Sequence, residues 1–341
     1  MLQFVARPHP RWSGSLDCHG KQPDYLAMPY SVGYGSLLMV ETERIDGAAI
    51  VVTYEPSAEV IRVLLGELQK AGIPTFVVDN SSGGGAAVAR AAASQAGVHY
   101  LGDGINRGIA WGHNRGLRSA AKQGFERVLL LDQDSGVDAA FLRLLFARAA
   151  DAFVTSTTIA AVGCTAVDYR TGQSLIYREG RYRTSLVRHS PVLDSDYEAP
   201  FLLASGTIMR VAAYEAIGGF REDFFIDHVD REWGMRARSQ GYSLVQFLDI
   251  TMSHTLGDSA SSSMLTGATV YHHASADRDY YLKRNTILMA RGGIGSYSWR
   301  VGESFSAVLS TFTCLFRDPA RAMLMVRGLL DGALGRGGPL P

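Results

Sequence analysis

The chain has 341 residues, of which 47% are hydrophobic and 19% are charged, a composition that excludes an intrinsically disordered protein. Its 33 basic and 33 acidic residues give a formal net charge of zero at pH 7, so no overall positive field favours nucleic acid as a partner. The three cysteines, Cys18, Cys164 and Cys314, form no CxxC pair and indicate neither a disulfide framework nor a zinc site.

The first 45 residues show no sustained hydrophobic period, and we interpret residues 1–45 as a poorly ordered extension. A translation start near Met39 is the alternative. The sequence shows no signal peptide, and no uncharged apolar run reaches the ~18 residues that a membrane span needs. We therefore expect a cytoplasmic protein, either free or peripheral at the inner face of the cell membrane.

A regular pattern begins at Gly47. In chain order, the sequence predicts strand AAIVVTY, helix AEVIRVLLGELQKAG, strand TFVVDN, helix AAVARAAASQAG, strand VHYL, helix GIAWGHNRGLRSAAKQG and strand RVLLLD. Each strand is a short apolar run between helices, which indicates an α/β fold with a mostly parallel sheet and helices on both faces. Ligands bind such sheets at the carboxyl ends of the strands.

After residue 150 the alternation weakens. The sequence predicts a strand in TTIAAVGCTAV, a strand and a short helix in APFLLASGTIMRVAAYEAIGGF, and a helix in DREWGMRARSQG that ends at Gly241. Two further apolar stretches, SFSAVLSTFTCLF and AMLMVRGLLDGAL, predict a C-terminal helical segment within residues 293–341. These helices either pack on the domain or lie on a membrane surface with arginines at the headgroups.

Two carboxylates, Asp132 and Asp134, follow the predicted strand RVLLLD. At positions i and i+2 they can point to the same side, which suits a hard divalent cation, Mg²⁺ or Mn²⁺, that also binds substrate phosphates. A turn or capping role would explain either residue as well. Their position at a strand end is what favours a metal site.

Seven segments occur in this order: VVTYEP, FVVDNSS, NRGIAWGHNRGLRSA, LLLDQDSG, GGFREDFFIDHVDREWGMRARSQGY, SHTLGDS and RDYYLKRN. Together, over residues 47–290, they resemble family 2 glycosyltransferases, and among these the bacterial L-rhamnosyltransferases. The resemblance implies a GT-A, Rossmann-like domain over residues 46–292, with a nucleotide-binding half (46–150) and an acceptor half (151–292).

The resemblance also implies a reaction, namely inverting, metal-dependent transfer of L-rhamnose from dTDP-L-rhamnose to a lipid-linked saccharide in surface polysaccharide synthesis. One alternative is the same chemistry with another donor, such as a UDP-hexose or UDP-galactofuranose. A non-catalytic protein that binds sugar nucleotides is a second alternative. The acceptor, the linkage position and the oligomeric state do not follow from the sequence.

The resemblance assigns roles to individual residues. It implies a general base at Asp230 and metal ligands at Asp132, Asp134 and His254. Donor contacts are implied for Tyr54, Asp79, Asn106, Gly108, Asn114, Asp132, Arg278 and Arg284, and acceptor contacts for Glu232 and Trp233.

Most of these residues also have a structural interpretation. Asp230 can accept the proton of an acceptor hydroxyl or can cap the helix that begins there. It follows Val229, where the family more commonly has Glu. His254 is either a ligand or a hydrogen-bonded surface residue.

The same ambiguity holds for residues that can meet phosphate. The forks of Arg278 and Arg284, with Asn285 beside them, match phosphate oxygens but also suit a solvated charged face. Because Gly108 opens a helix, its backbone amides can face a phosphate. Asp79 fits either a donor contact or a turn.

Overall fold

The computed structural model describes residues 45–168, 171–181, 184–186, 196–254, 259–262, 269–272 and 275–340. The predicted extension therefore lies outside the described residues except for its last position. The SHTLGDS segment is described only in part, and the side chain of His254 lies outside the described part.

The predicted alternation of strands and helices is confirmed from Ala48 onward. In chain order, the elements are β1 (Ala48–Thr53), α1 (Ala58–Ala71), β2 (Thr75–Asp79), α2 (Gly83–Ala92), β3 (Val98–Gly102), α3 (Ile109–Lys122), β4 (Arg127–Asp132), α4 (Ala139–Thr155), β5 (Ile159–Asp168), β6 (Gln173–Ser174), β7 (Tyr177–Glu179), β8 (Thr184–Leu186), β9 (Tyr197–Glu198), β10 (Thr207–Arg210), α5 (Val211–Ile217), α6 (Val229–Ser239), β11 (Ser243–His254), β12 (Ser259–Ser262), β13 (Thr269–His272), α7 (Ala276–Arg291), α8 (Tyr297–Leu315) and α9 (Pro319–Leu334).

The main sheet has nine strands among the described residues, in the order β3-β2-β1-β4-β10-β5-β11-β9, with β6 paired to β5. β1 to β4 are mutually parallel, and so are β5 and β11. The four-residue strand β10 runs antiparallel between β4 and β5 and joins these two parallel groups. The sheet is therefore mostly parallel, as predicted.

Side chains of β1 alternate between two buried layers, which explains why its whole run is apolar. Ile50 packs in the layer that contains α3, and Val51 packs in the layer that contains α1 and α4. A Cβ at Gly116 of α3 would lie 2.7 Å from the side chain of Ile50. Glycine therefore lets α3 approach β1 closely, which brings the amino end of α3 to the carboxyl end of the strand.

The C-terminal helices pack on the domain through α7. A Cβ at Gly332 of α9 would lie 2.7 Å from the carbonyl oxygen of Arg284, so α9 and α7 are in close backbone contact. The tail after α9 continues this contact, since the backbone N–H of Leu340 donates to the Tyr281 hydroxyl (2.7 Å). None of the helices in the described part of the chain is both long enough and apolar enough to cross a membrane.

Candidate active site

A cavity of about 790 Å³ opens at the carboxyl ends of β1 and β4. Its lining includes the ends of β1 and β4, Asn80 after β2, the start of α3, the turn before β10, the segment Phe225–Arg231, and the start of α7. This is the sheet edge at which the sequence predicts ligand binding.

Five of the implied donor contacts line this cavity: Tyr54, Asn106, Gly108, Asp132 and Arg278. The Tyr54 side chain is 54% exposed at the rim, and its backbone N–H donates to Gln133 Oε1 (2.8 Å). That bond joins the ends of β1 and β4, so the two strand ends form one wall of the cavity.

Asp79 does not line the cavity. Its carboxylate is buried at the end of β2 and accepts hydrogen bonds from Thr53 Oγ1 (2.7 Å), Ser81 Oγ (2.7 Å) and the Tyr100 hydroxyl (2.8 Å). In the structure its oxygens are occupied by the neighbouring strands and the following turn, and the implied donor contact of Asp79 stays a prediction. The structural alternative, a carboxylate that fixes a turn, agrees with these bonds.

Asn114 also lies away from the cavity lining. Its Oδ1 accepts from the Tyr214 hydroxyl (2.8 Å) and the Phe220 N–H (2.9 Å), while its Nδ2 donates to the Phe220 carbonyl (2.8 Å) and Glu222 Oε1 (2.9 Å). These four bonds use the full hydrogen-bonding capacity of an amide side chain. Asn114 therefore joins α3 to the loop after α5, and its implied role in donor binding stays a prediction.

The first amides of α3 are already paired. The N–H of Gly108 donates to Asn106 Oδ1 (3.0 Å), and the N–H of Ile109 donates to the carbonyl of Phe225 (2.8 Å). Gly108 has φ +84°, and a Cβ there would collide with Phe225, so only glycine fits this close contact. The amide of Gly108 itself is thus paired within the chain, and its implied role toward a phosphate stays a prediction.

The two candidate metal-binding carboxylates have different positions. Asp132 ends β4 and lines the cavity, whereas Asp134 lies in the following turn and is exposed. Hydroxyl groups of Ser135 and Ser205 accept from the N–H of Asp132 (3.0 and 3.3 Å) and fix the strand end.

Carboxylate oxygens at this edge have the chemistry that Mg²⁺ and Mn²⁺ prefer. Within the described ranges, no group of three or more His, Cys, Asp or Glu side chains is arranged to hold a metal ion. The side chain of His254 lies outside the described part of the chain. Metal binding at Asp132, Asp134 and His254 therefore stays a prediction.

Asp230 is the second residue of α6 and lines the cavity. The N-cap position belongs to His228, so the capping interpretation of Asp230 is not supported. Burial raises the pKa of Asp230 to about 6, and the negative charges of Asp132 and Asp227 add to this effect. At neutral pH the carboxyl group is mostly ionised and can accept a proton.

The segment that leads to Asp230 has a strained backbone. Phe225, Asp227 and His228 have φ values of +63°, +65° and +59°, and none of them is glycine. Left-handed backbone at non-glycine residues costs of order 1–3 kcal/mol each and persists only where surrounding contacts enforce it. Such strain concentrates at functional sites, and here it occurs in the wall of the cavity.

Arg284 and Asn285 of α7 enforce this conformation. Asn285 Nδ2 donates to the carbonyls of Phe224 (3.1 Å), Ile226 (2.8 Å) and Asp227 (2.8 Å), and Arg284 donates to the carbonyls of Asp223 and Phe224. Both side chains are fully buried behind the segment. In the structure their N–H groups are used by main-chain carbonyls, and the implied contact of Arg284 and Asn285 with the sugar-nucleotide donor stays a prediction.

Arg278 does line the cavity, where it pairs with Asp227 through two bonds (2.8 and 2.6 Å). The two implied acceptor contacts lie elsewhere. Glu232 is 1% exposed and pairs with Arg236 (2.9 Å), and Trp233 is buried with its Nε1 donating to the carbonyl of Gly218 (2.9 Å). Both belong to the inward face of α6, and their implied role in acceptor binding stays a prediction.

The cavity residues that were not singled out from the sequence include His113 and Gln133. Gln133 directly follows Asp132, so its position at a strand end was a usable signal. His113 lies on the buried side of α3, where a polar residue among apolar ones was the only indication.

Known proteins support the fold and the type of activity. No family model matches the chain. It is 28% identical over 246 residues to the dTDP-rhamnosyl transferase RfbF of Shigella flexneri, a match that covers 71% of this chain and 79% of that protein.

Two solved structures are similar. GalNAc-T7, solved with UDP, GalNAc and Mn²⁺, matches 74% of this chain with a TM-score of 0.53 and 11% identity, and this chain spans 48% of its length. TarS 1–349 of S. aureus matches 84% of this chain and 80% of its own, with a TM-score of 0.49 and 16% identity. The first of these shows the fold. The chain is a glycosyltransferase of the GT-A fold and is similar to bacterial rhamnosyltransferases.

Proposed function

We propose that this chain is an inverting, metal-dependent glycosyltransferase that transfers L-rhamnose from dTDP-L-rhamnose to a lipid-linked saccharide. The observation that supports the mechanism is the pair of carboxylates on one cavity, Asp132 at the end of β4 and Asp230 at the start of α6. The donor is proposed from the name of the Shigella relative.

The reaction is a single displacement. The acceptor hydroxyl oxygen attacks the anomeric carbon while the bond from that carbon to the diphosphate oxygen breaks, and Asp230 takes the hydroxyl proton. Asp132 would hold Mg²⁺ or Mn²⁺, with Asp134 and His254 as further ligands, and the bound cation would offset the charge on the leaving diphosphate. Arg278 and Tyr54 lie on the walls that would contact the donor.

A donor panel tests this proposal. Purified protein is incubated with Mg²⁺ and dTDP-L-rhamnose, UDP-glucose or UDP-galactofuranose, and donor binding and donor hydrolysis are measured for each. We expect binding and slow hydrolysis of dTDP-L-rhamnose, both lost in excess EDTA and restored by Mn²⁺. Preference for a UDP-sugar would keep the chemistry but change the donor, whereas binding without any hydrolysis would favour a non-catalytic protein. Full hydrolysis in EDTA would contradict metal dependence.

The second part of the proposal concerns the partner membrane. Helix α8 carries a stripe of exposed apolar side chains at helical spacing, which we call the α8 stripe: Tyr297, Val301, Phe305, Leu309, Phe312 and Phe316. Exposed apolar surface of this kind marks an interaction site. Helix α9 carries a similar row, with Met323, Val326, Leu330 and Leu334 exposed.

The charges beside the α8 stripe suit an anionic bilayer. The one acidic residue of α8, Glu303, is turned inward to Arg231 (2.5 Å), while Arg317, Arg327 and Arg336 are exposed near the two helices. An interfacial helix binds anionic lipid through an apolar face with flanking arginines. Because Arg231 also lines the cavity, docking through α8 would bring a lipid-linked acceptor close to Asp230.

A further inference from the structure

His113 is a buried polar residue on the cavity that the proposed mechanism does not use. It lies in α3, is 1% exposed and lines the cavity. Neither ring nitrogen has a hydrogen-bond partner within the described part of the chain. Since buried polar groups are nearly always hydrogen-bonded, an unpartnered ring at a cavity requires an explanation.

The position of His113 relates it to the reacting centre. The preceding residue, Gly112, is so close to Val52 that a Cβ would lie 2.7 Å from that side chain. Val52 is the register partner of Asp132, and side chains of register partners point to the same face of a sheet. The ring of Phe220 packs on the imidazole at a centroid distance of 5.4 Å. His113 therefore lies on the sheet face to which Asp132 points.

The hydrogen-bonding chemistry of this ring favours a hydroxyl group as its ligand. Burial lowers the pKa of His113 to about 4, so the ring is neutral at neutral pH. A neutral imidazole has one N–H donor and one acceptor nitrogen. A hydroxyl group can pair with either ring nitrogen because it both donates and accepts, whereas a diphosphate oxygen can pair only with the N–H.

We infer that His113 hydrogen-bonds a hydroxyl group of the sugar in the nucleotide-sugar donor and helps to determine which sugar the enzyme transfers. This inference rests on the proposed function and adds a sugar-contacting residue to it. Contact requires the ring or the cavity floor to move, because the cavity reaches the side chain while both ring nitrogens are buried. The hydroxyl group then gives the buried imidazole a hydrogen bond, and without one a buried polar group costs free energy.

The test compares two ligands that differ only in the sugar. Calorimetry with Mg²⁺ measures the affinity of dTDP and of dTDP-L-rhamnose for the wild type, His113→Phe and His113→Gln. Phe keeps an aromatic ring without hydrogen bonding, and Gln restores a donor and an acceptor. We expect His113→Phe to bind dTDP within about twofold of the wild type but dTDP-L-rhamnose about tenfold more weakly, the size of one lost hydrogen bond. We expect His113→Gln to recover most of this loss.

The other outcomes separate the two proposals. If His113→Phe binds dTDP-L-rhamnose as tightly as the wild type, His113 is a buried core residue and the inference is overturned. Equal weakening for dTDP and dTDP-L-rhamnose also overturns it, because the effect would then be structural. A wild type that binds neither nucleotide overturns the proposed function itself. Thermal unfolding of each variant shows whether the fold is retained.

Discussion

Two walls of the candidate active site are built by different means. The first wall consists of strand ends, where Tyr54 and Asp132 follow buried apolar strands that are fixed by the parallel ladder. The second wall, Phe225–Arg231, is irregular, and its strained backbone is held by Asn285 from α7. A sheet distributes its stability over many bonds, whereas the second wall depends on a few buried side chains. Single substitutions should therefore affect the second wall more.

The largest effect is expected at Asp230, which belongs to the second wall and lines the cavity. Asp230→Asn keeps the size of the side chain but removes its basicity, so kcat should fall by ~10²–10⁴-fold, the usual contribution of general-base catalysis. The affinity for dTDP-L-rhamnose should stay near the wild-type value. Steady-state kinetics and calorimetry measure the two quantities, and a nearly normal kcat would remove Asp230 from the mechanism.

The fold of the same variant should be intact. The carboxyl group of Asp230 binds its proton more readily in the folded chain than in the unfolded chain, because burial raises its pKa from 3.8 to about 6. Its ionised form at pH 7 therefore costs stability, which is recovered as pH falls through this range. Asp230→Asn should unfold at an equal or higher temperature than the wild type at pH 7. If the unfolding temperature falls markedly, the loss of turnover reflects a damaged fold and not the loss of a base.

Asn285→Ala tests how much the Asn285 side chain stabilises the second wall. The substitution leaves the carbonyls of Ile226 and Asp227 without their side-chain donor and leaves the carbonyl of Phe224 with Arg284 as its side-chain donor. At about 1 kcal/mol for each lost bond, the free energy of unfolding should fall by about 2–3 kcal/mol.

The matched control for Asn285→Ala is Asn80→Ala on the first wall. The Asn80 side chain makes two bonds, to the carbonyl of Gly108 (3.1 Å) and from the N–H of Arg107 (3.1 Å). Chemical denaturation of both variants should show the smaller loss for Asn80→Ala. The contrast between the two walls is refuted if Asn80→Ala is as destabilising as Asn285→Ala.

The first wall and its sheet were accessible from the sequence, and the reason is local. The run RVLLLD corresponds to β4, Arg127–Asp132, since an apolar run bounded by polar residues is itself the signal of a buried strand. Parallel strands then place Asp132 at the ligand-binding edge without any further information. The antiparallel insertion of β10 was not predictable, because a four-residue strand carries too little pattern to show its direction.

The second wall was accessible only in part. The resemblance to glycosyltransferases selected Asp230, which does line the cavity, and its catalytic role stays a prediction. The same resemblance also selected Arg284 and Asn114, whose partners are distant groups that they meet inside the fold. In a sequence, a polar residue that holds a distant main-chain segment looks the same as one that meets a ligand. Long-range contacts decide between these roles.

A smaller effect is expected from pH. Because Asp230 must be ionised to act as a base, kcat/KM should fall about tenfold per unit as pH decreases below about 6. A base with the ordinary pKa of 3.8 would keep its activity down to about pH 4. The pH profile of donor binding is measured in parallel, and kcat/KM that is flat to pH 5 would mean that Asp230 is not the base whose ionisation limits transfer.

The smallest effect on catalysis is expected outside both walls, at the α8 stripe. Truncation before α8 is a poor test because it also removes α9, which packs on the α7 helix that carries Asn285. A point substitution avoids this difficulty. Phe305 is 67% exposed, so Phe305→Asp should leave fold and donor hydrolysis intact while removing a side chain whose burial in a bilayer contributes ~1.5–3 kcal/mol.

Flotation with phosphatidylglycerol vesicles measures this effect. Binding of Phe305→Asp should be about tenfold to a hundredfold weaker than that of the wild type, as expected for the loss of one buried aromatic side chain. The matched control is Val154→Asp, which makes the same polar change at an 88% exposed residue of α4 and should bind normally. Weaker binding to phosphatidylcholine vesicles would show that the arginines contribute. If the wild type does not float, or if both variants bind equally, the α8 stripe is not a membrane surface. A dimer that Phe305→Asp dissociates, seen by analytical ultracentrifugation, would instead assign the stripe to a second copy of the chain.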